Sequence, residues 1–151
     1  MANYQRYSKK ISAHLKAAEA YAELSHAKRL KVGAVIVREG RIISIGYNGT
    51  PSGRNNSCEY EIVNSDGKKE LVSKQEICHA EMNAIMFAAK NGVSTDDCTL
   101  VITHSPCYEC AKMIVQCGID SVFYREEYRD VSSLLFLKEC GVEVTKIRSI
   151  I

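Results

Sequence analysis

The stretch CTLVITHSPCYECAKMIVQCGIDSVFY (residues 98–124) decides the fold class. Its two apolar runs, CTLVIT and IDSVFY, predict strands, and residues 107–117 between them predict a helix that begins after Pro106 and ends at Gly118. Two strands joined through a helix form a β–α–β unit, in which the strands are parallel and the crossover is right-handed. The stretch therefore predicts part of an α/β sheet.

The same alternation of helices and strands continues on both sides of this unit. The predicted order is one helix, two strands and then three helix–strand pairs, drawn from a helix within 4–30, strands at 32–37 and 41–47, a helix at 79–90, the central unit, a helix at 131–140 and a strand at 142–147. This order predicts a single domain, residues 1–151, with a mixed five-stranded sheet in a three-layer α/β/α sandwich. Residues 58–77 are mixed and polar, and the segment NSDGKKE (64–70) within them is predicted to be an exposed excursion.

Composition excludes several classes of protein. The 20 basic and 18 acidic residues give a net charge of +2. Proteins that bind duplex nucleic acid usually have a larger excess of basic residues, so a duplex partner is not favoured. The N-terminal sequence MANYQRYSKKISAHLK has no apolar core of a signal peptide, and no apolar run approaches the ~20 residues that span a bilayer. These features predict a cytoplasmic protein without a membrane partner, in which disulfides are rare.

Two helix starts carry residues that bind metals. His79 and Glu81 lie at the start of the helix in CHAEMNAIM (78–86), and Cys107 and Cys110 lie in the first turn of the next helix. One imidazole and two thiolates supply three of the four ligands of zinc, and an open fourth position is typical of a catalytic site. Glu81 would lie near the metal without binding it, where a carboxylate can act as a general base.

The combination of His-x-Glu with Pro-Cys-x-x-Cys is a signature of zinc-dependent nucleobase deaminases. It occurs here as His79-Ala80-Glu81 and Pro106-Cys107-Tyr108-Glu109-Cys110. With the segments VGAVIV and RIISIGYNGTPSG (32–53), HAEMNAI (79–85) and SPCYECAKMIVQCGI (105–119), the chain resembles the cytidine deaminase-like superfamily. Within it, GYNGTPSG resembles the deoxycytidylate (dCMP) deaminase branch.

The resemblance implies hydrolytic deamination of dCMP to dUMP and ammonia, supplying thymidylate synthesis. Zinc-activated water would attack C4 of cytosine, and Glu81 would move its protons to N3 and to the departing amine. By the same resemblance, the substrate-binding residues are Ser25, Lys28, Asn48, Ala80, Ser105, Pro106 and Tyr124. Two residues depart from the family pattern: Lys28 replaces an arginine at the phosphate position, and His104, a pocket-wall or surface histidine, replaces an apolar residue.

Family members are homohexamers that dCTP activates together with Mg²⁺ and that dTTP inhibits. The matching region is the loop GTPSGRNNSCE, with Gly49, Gly53, Arg54, Asn55 and Glu59 as candidate effector-binding residues. Glycine turns offer N–H groups to phosphate and arginine offers a planar fork of donors. The alternative for this loop is a solvated surface segment, and a second, structural zinc at Cys58 and Cys78 is not expected.

Other functions remain open on the same signature. One is the deamination of adenosine in tRNA or of bases in single-stranded DNA, which needs a basic groove with aromatic platforms. Another is a zinc domain without activity, but such a domain would have no use for Glu81, which this chain retains. Deaminases of free cytidine fit less well, because they carry cysteine at the position of His79.

Overall fold

The computed structural model describes residues 2–148, with side chains from residue 8 onward. Within this range the elements follow one another as α1 (Ala2–Ala22), β1 (Gly33–Arg38), β2 (Arg41–Tyr47), β3 (Glu59–Val63), β4 (Lys69–Ser73), α2 (Ala80–Lys90), β5 (Thr99–His104), α3 (Tyr108–Gln116), β6 (Ser121–Glu126), α4 (Ser132–Glu139) and β7 (Glu143–Lys146). None of the helices in this range is long and apolar enough to cross a membrane.

The main sheet has five strands in the order β2-β1-β5-β6-β7. Strand β1 is antiparallel to both β2 and β5, whereas β5, β6 and β7 are parallel to one another. The mixed five-stranded sheet and the parallel β–α–β unit are therefore as the sequence predicted. The all-apolar run in β1 is explained by its place in the sheet, since Ala34, Val35 and Ile36 have no exposed surface.

Helices cover both faces of the sheet. Successive residues of a strand point to opposite faces, so Val35 and Val101 pack with α1 while Ile36 and Ile102 pack with the other helices. The α1 face is filled by Ile11, Leu15, Ala18, Val35, Val37, Val101 and Phe123, and the opposite face by residues that include Ala84, Ile85, Ile114, Leu134 and Leu137. This arrangement confirms the three-layer α/β/α sandwich.

The structure differs from the sequence-based expectation before β1 and after β2. The first helix ends at Ala22, well before residue 30, because the following backbone makes tertiary contacts instead of helical ones: the N–H of Lys28 donates to Glu59 Oε1 and the carbonyl of Leu30 accepts from Asn48. Residues 58–77 contain a β3–β4 hairpin that pairs as a separate two-stranded sheet. Most of its side chains are exposed, so no apolar alternation marks the strands in the sequence.

Strand β2 fixes the position of α2. A Cβ at Gly46 would lie 2.1 Å from the carbonyl oxygen of Ala80 and 2.5 Å from the amide nitrogen of Ala84, so only glycine allows this approach. The hydroxyl of Ser44 donates to the Ala84 carbonyl at 2.6 Å, and Asn83 Nδ2 donates to the Tyr47 carbonyl at 2.7 Å. The first turns of α2 are thereby held against the sheet edge.

Candidate active site

Three side chains with metal-binding atoms meet between α2 and α3. His79 Nδ1 lies 3.4 Å from Cys107 Sγ and 3.4 Å from Cys110 Sγ, and the three atoms all lie within 4.8 Å of one another. Nitrogen and sulfur ligands of a tetrahedral zinc ion are roughly 3.6 Å apart, given metal–ligand distances of about 2.1 and 2.3 Å. Donor type and spacing therefore both fit zinc, as the sequence predicted.

The local backbone explains why these side chains are available. His79 and Cys107 are the N-cap residues of α2 and α3, each in an extended conformation that turns the chain into its helix. The His79 side chain makes no cap hydrogen bond, so its imidazole is free to face Cys107 and Cys110. Cys107 Sγ accepts from the N–H of Cys110 at 3.4 Å, which favours negative charge on that sulfur.

The two thiols hold their protons unequally. Hydrogen bonds from the Cys110 side chain, from His79 and from the Cys110 N–H lower the pKa of Cys107 to about 4. The pKa of Cys110 is raised, because the same hydrogen bond to Cys107 holds its proton and because the side chain is buried. Zinc binds both cysteines as thiolates, so metal binding releases the proton that remains on Cys110.

Glu81 lies in the first turn of α2 beside the three metal-binding atoms. It is 4% exposed, and burial raises its pKa to about 7 against the opposing effects of its own N–H and of His79. It does not belong to the group whose ligand atoms converge. Glu81 is therefore placed as a buried carboxyl group next to the metal-binding residues and separate from them.

His79, Glu81 and Cys107 line a cleft of about 380 Å³. Of the predicted substrate-binding residues, Asn48, Ala80 and Ser105 line it. The amide of Asn48 is fixed from both ends, since Nδ2 donates to the Leu30 carbonyl at 2.8 Å and Oδ1 accepts from the Val32 N–H at 2.9 Å. Ser105 is buried, and its hydroxyl oxygen accepts from the N–H of Tyr128 at 2.7 Å.

The other four predicted substrate-binding residues lie outside the lining of this cleft. The hydroxyl of Ser25 donates to the Asn48 carbonyl at 2.7 Å, and Pro106 is buried with its carbonyl accepting from Ser133 at 2.6 Å. Tyr124 belongs to the core and donates its hydroxyl to Glu127 at 3.3 Å. Lys28 is exposed beside the cleft. Direct contacts with a substrate stay predictions for all seven residues.

Three cationic residues that the sequence analysis did not select line the cleft: Arg29, Lys74 and Arg129. The family resemblance implies an arginine at position 28, and Arg29 is the next residue. The guanidinium of Arg29 donates to Ser73 Oγ at 3.3 Å. Lys74 follows β4 and Arg129 follows β6, both in segments without a motif. Only the tertiary fold brings these two side chains to the cleft.

The candidate effector-binding loop is held by internal contacts. Gly49 forms an isolated β-bridge with Cys78, the residue before His79, and Arg54 pairs with Glu76 at 2.9 Å. The side chain of Asn55 accepts from the Ser57 N–H, and Gly53 has a φ of +93°. Glu59 lines the cleft and accepts from two backbone N–H groups, those of Lys28 at 2.7 Å and of Arg29 at 3.1 Å. Effector binding by this loop stays a prediction.

An α/β/α sandwich with a histidine, two cysteines and a buried, separate glutamate at two helix starts defines the class of zinc-dependent deaminases. Residues 8–126 match the family model described as the cytidine and deoxycytidylate deaminase zinc-binding region. The chain belongs to this family.

Relatives with known names agree with this assignment. The chain is 41% identical over 132 residues to the deoxycytidylate deaminase of Enterobacteria phage T4, and the match covers 65% of this chain and 68% of the relative. It is 41% identical over 125 residues to ComE operon protein 2 of Bacillus subtilis (strain 168), covering 82% of this chain and 63% of that protein. Among solved structures, the dCMP deaminase of cyanophage S-TIM5 in complex with dCMP and dUMP matches with a TM-score of 0.81 and 43% identity, covering 90% of this chain and 95% of that one.

Proposed function

We propose that this chain catalyses the hydrolytic deamination of dCMP to dUMP and ammonia. The observation that carries the proposal is the buried carboxyl group of Glu81 beside the His79–Cys107–Cys110 group, at the wall of a cleft of nucleotide size. The named relatives support the choice of substrate, because a structure of similar sequence and fold was solved with dCMP and dUMP bound.

His79, Cys107 and Cys110 would hold the zinc ion. Zinc, when bound, lowers the pKa of a water molecule toward ~7 and so supplies the nucleophile at neutral pH. Glu81 accepts a proton from that water and delivers it to N3 of cytosine while C4 is attacked. Glu81 then moves the second proton of the water to the exocyclic amine, which leaves as ammonia, and C4 keeps the oxygen as the uracil carbonyl.

The residues of the cleft would orient the nucleotide for this attack. The N–H of Ala80 lies in the first turn of α2, where backbone N–H groups have no partner within the helix, and it can donate to the base. Asn48, held rigidly by Leu30 and Val32, presents its remaining amide hydrogen to the sugar. Ser25 acts through Asn48 by donating to the carbonyl of that residue.

Arg29, Lys74 and Arg129 would bind the 5′-phosphate. They line the same cleft as the metal-binding residues, and cations in a partly enclosed cleft attract an anionic substrate. This arrangement favours a nucleotide over a nucleoside. In this proposal Lys28 contributes to the position of Arg29, because the two residues are adjacent and the N–H of Lys28 donates to Glu59.

The proposal also includes regulation: dCTP with Mg²⁺ would activate the enzyme and dTTP would inhibit it. The protein would be a cytoplasmic homohexamer that supplies dUMP to thymidylate synthesis. The loop that contains Gly53 and Arg54 lies between two residues of the cleft wall, Asn48 and Glu59, so a ligand on the loop can act on the cleft.

An ammonia-release assay tests this function. The zinc-loaded protein is given dCMP, deoxycytidine, CMP and a tRNA anticodon stem, each with and without dCTP or dTTP. We expect dCMP to be the preferred substrate and the triphosphates to change its rate in opposite directions. Deamination of the RNA in preference to dCMP would favour the alternative function, a nucleic-acid deaminase. Equal rates with and without the triphosphates would contradict the proposed regulation.

A further inference from the structure

His104 is a cleft residue without a role in the reaction described above. It is the last residue of β5 and lies three residues before Cys107. Alternate residues of a strand share a face, and Leu100 and Ile102 point toward α2 and α3, so His104 lies on the face where the metal-binding residues are. The side chain is half-buried and lines the same cleft as Asn48 and Glu81.

The neighbouring hydroxyl group determines which nitrogen of His104 carries the proton. The Oγ1 of Thr103 accepts from the N–H of Gly33 at 3.2 Å and lies 2.8 Å from His104 Nδ1. Thr103 is buried, and a buried hydroxyl hydrogen without an acceptor is costly. The hydroxyl therefore donates to Nδ1, and the hydrogen of the imidazole lies on Nε2. Burial also lowers the pKa of His104, which keeps the ring neutral.

The position of His104 indicates which part of a nucleotide it can reach. It is not a member of the group whose ligand atoms converge on the metal position, where the cytosine ring must react. It also lines a second depression of mixed charge, so it lies where the cleft wall meets the protein surface; the charged residues there are Glu19, Glu23, Lys31, Arg125 and Glu126. A nucleotide whose base lies at Glu81 would place its sugar and phosphate along the rest of the cleft wall, which includes His104.

We propose that His104 is a specificity-determining residue that donates its Nε2–H to an oxygen of the sugar–phosphate part of the substrate, an inference that rests on the proposed deaminase function. The acceptor is the 3′ oxygen or a phosphate oxygen, since both accept a hydrogen bond. Thr103 acts through His104 by fixing the tautomer that presents this donor.

Kinetics of two His104 variants test the contact. His104→Leu removes the donor, and His104→Gln keeps an N–H donor on a side chain of similar reach. With dCMP we expect the KM of the leucine variant to rise about tenfold, the effect of one lost hydrogen bond at a partly enclosed site, with kcat within about twofold. The glutamine variant should stay within about threefold of the wild type.

Two substrate analogues identify the acceptor. The penalty is the rise in KM that His104→Leu causes. If the 3′ oxygen is the acceptor, this penalty disappears with 2′,3′-dideoxycytidine 5′-monophosphate, which lacks that oxygen. If the phosphate is the acceptor, the penalty disappears with deoxycytidine. Loss of the penalty with either analogue supports the proposal. A full penalty with both analogues, or equal KM values for the leucine and glutamine variants, overturns it.

Nitrogen NMR of histidine-labelled, zinc-loaded protein gives a readout that does not depend on turnover. The Nε2–H tautomer is expected for His104, with loss of this preference in Thr103→Val. The opposite tautomer in the wild type contradicts the proposal. If the protein fails to deaminate dCMP, the proposed function is wrong, and a titration with dCMP still decides the contact: a shift of the His104 Nε2 signal supports it, and an unchanged signal overturns it.

Discussion

The close approach of β2 to α2 makes Gly46 a sensitive position for the active site. In Gly46→Ala the new Cβ would lie 2.1 Å from the Ala80 carbonyl oxygen and 2.5 Å from the Ala84 nitrogen, whereas ordinary contacts begin near 3.4 Å. Both are backbone atoms, which cannot rotate away, so strand and helix must separate by roughly 1 Å. Overpacking of this kind costs about 1–3 kcal/mol. At about 2–4 °C per kcal/mol for a chain of this size, the melting temperature should fall by about 2–12 °C.

The same displacement should reach the chemistry. Ala80 lies between His79 and Glu81, and a misplacement of about 1 Å in a catalytic group can lower the rate about 100-fold. We therefore expect Gly46→Ala to lose far more activity, measured as kcat/KM for dCMP at a temperature where it is fully folded, than its stability loss explains.

Gly49→Ala is the matched control for stability. Nothing lies within 4 Å of a Cβ at that position and its φ is not left-handed, so the melting temperature should stay within about 2 °C of the wild type. A Gly46→Ala protein with an unchanged melting temperature and activity within threefold of the wild type would refute the claim that this contact positions α2.

Three further predictions concern the metal, the phosphate and the segment after β5. Cys110→Ala should bind no zinc at stoichiometric metal, measured by metal analysis after dialysis, because two ligands hold zinc poorly; retained zinc with full activity would contradict the ligand assignment. Arg129→Gln should raise KM for dCMP about tenfold and leave KM for deoxycytidine unchanged, while Lys69→Gln, which alters a lysine paired with Glu61 outside the cleft, changes neither; equal effects on both substrates would exclude a phosphate contact. Ser133→Ala leaves the buried Pro106 carbonyl without its 2.6 Å donor and should cost about 1–3 kcal/mol in thermal or urea unfolding, and a smaller change would show that this bond is dispensable.

Local sequence patterns were sufficient for the core of the fold and for the metal group. Pro106 and Gly118 mark the ends of α3, and apolar runs mark β5 and β6, so the β–α–β unit could be predicted. His79 and Cys107 immediately precede α2 and α3. Strands β2 and β5 are both antiparallel to β1 and so run in the same direction, which places the two helix starts after them at one end of the sheet.

Features that depend on contacts between distant segments could not be predicted. The first helix ends early because Leu30 and Val32 bond to the side chain of Asn48, a partner that lies beyond β1 in the sequence. Strand β3 has exposed side chains on both faces and so lacks the alternation that reveals a half-buried strand. Arg129 belongs to no motif and becomes a cleft residue only through the packing of the segment after β6.

The role of Glu81 is the central claim, and one paired measurement tests it most directly. Glu81→Gln keeps the size of a side chain that is 4% exposed and removes its ability to accept a proton. Metal content and ammonia release from dCMP are measured on the same preparation of variant and wild type. We predict about one zinc per chain in both proteins and a rate at least 100-fold lower in the variant, as expected for loss of general base catalysis. A zinc-loaded variant that deaminates dCMP at a rate comparable to the wild type would contradict the account.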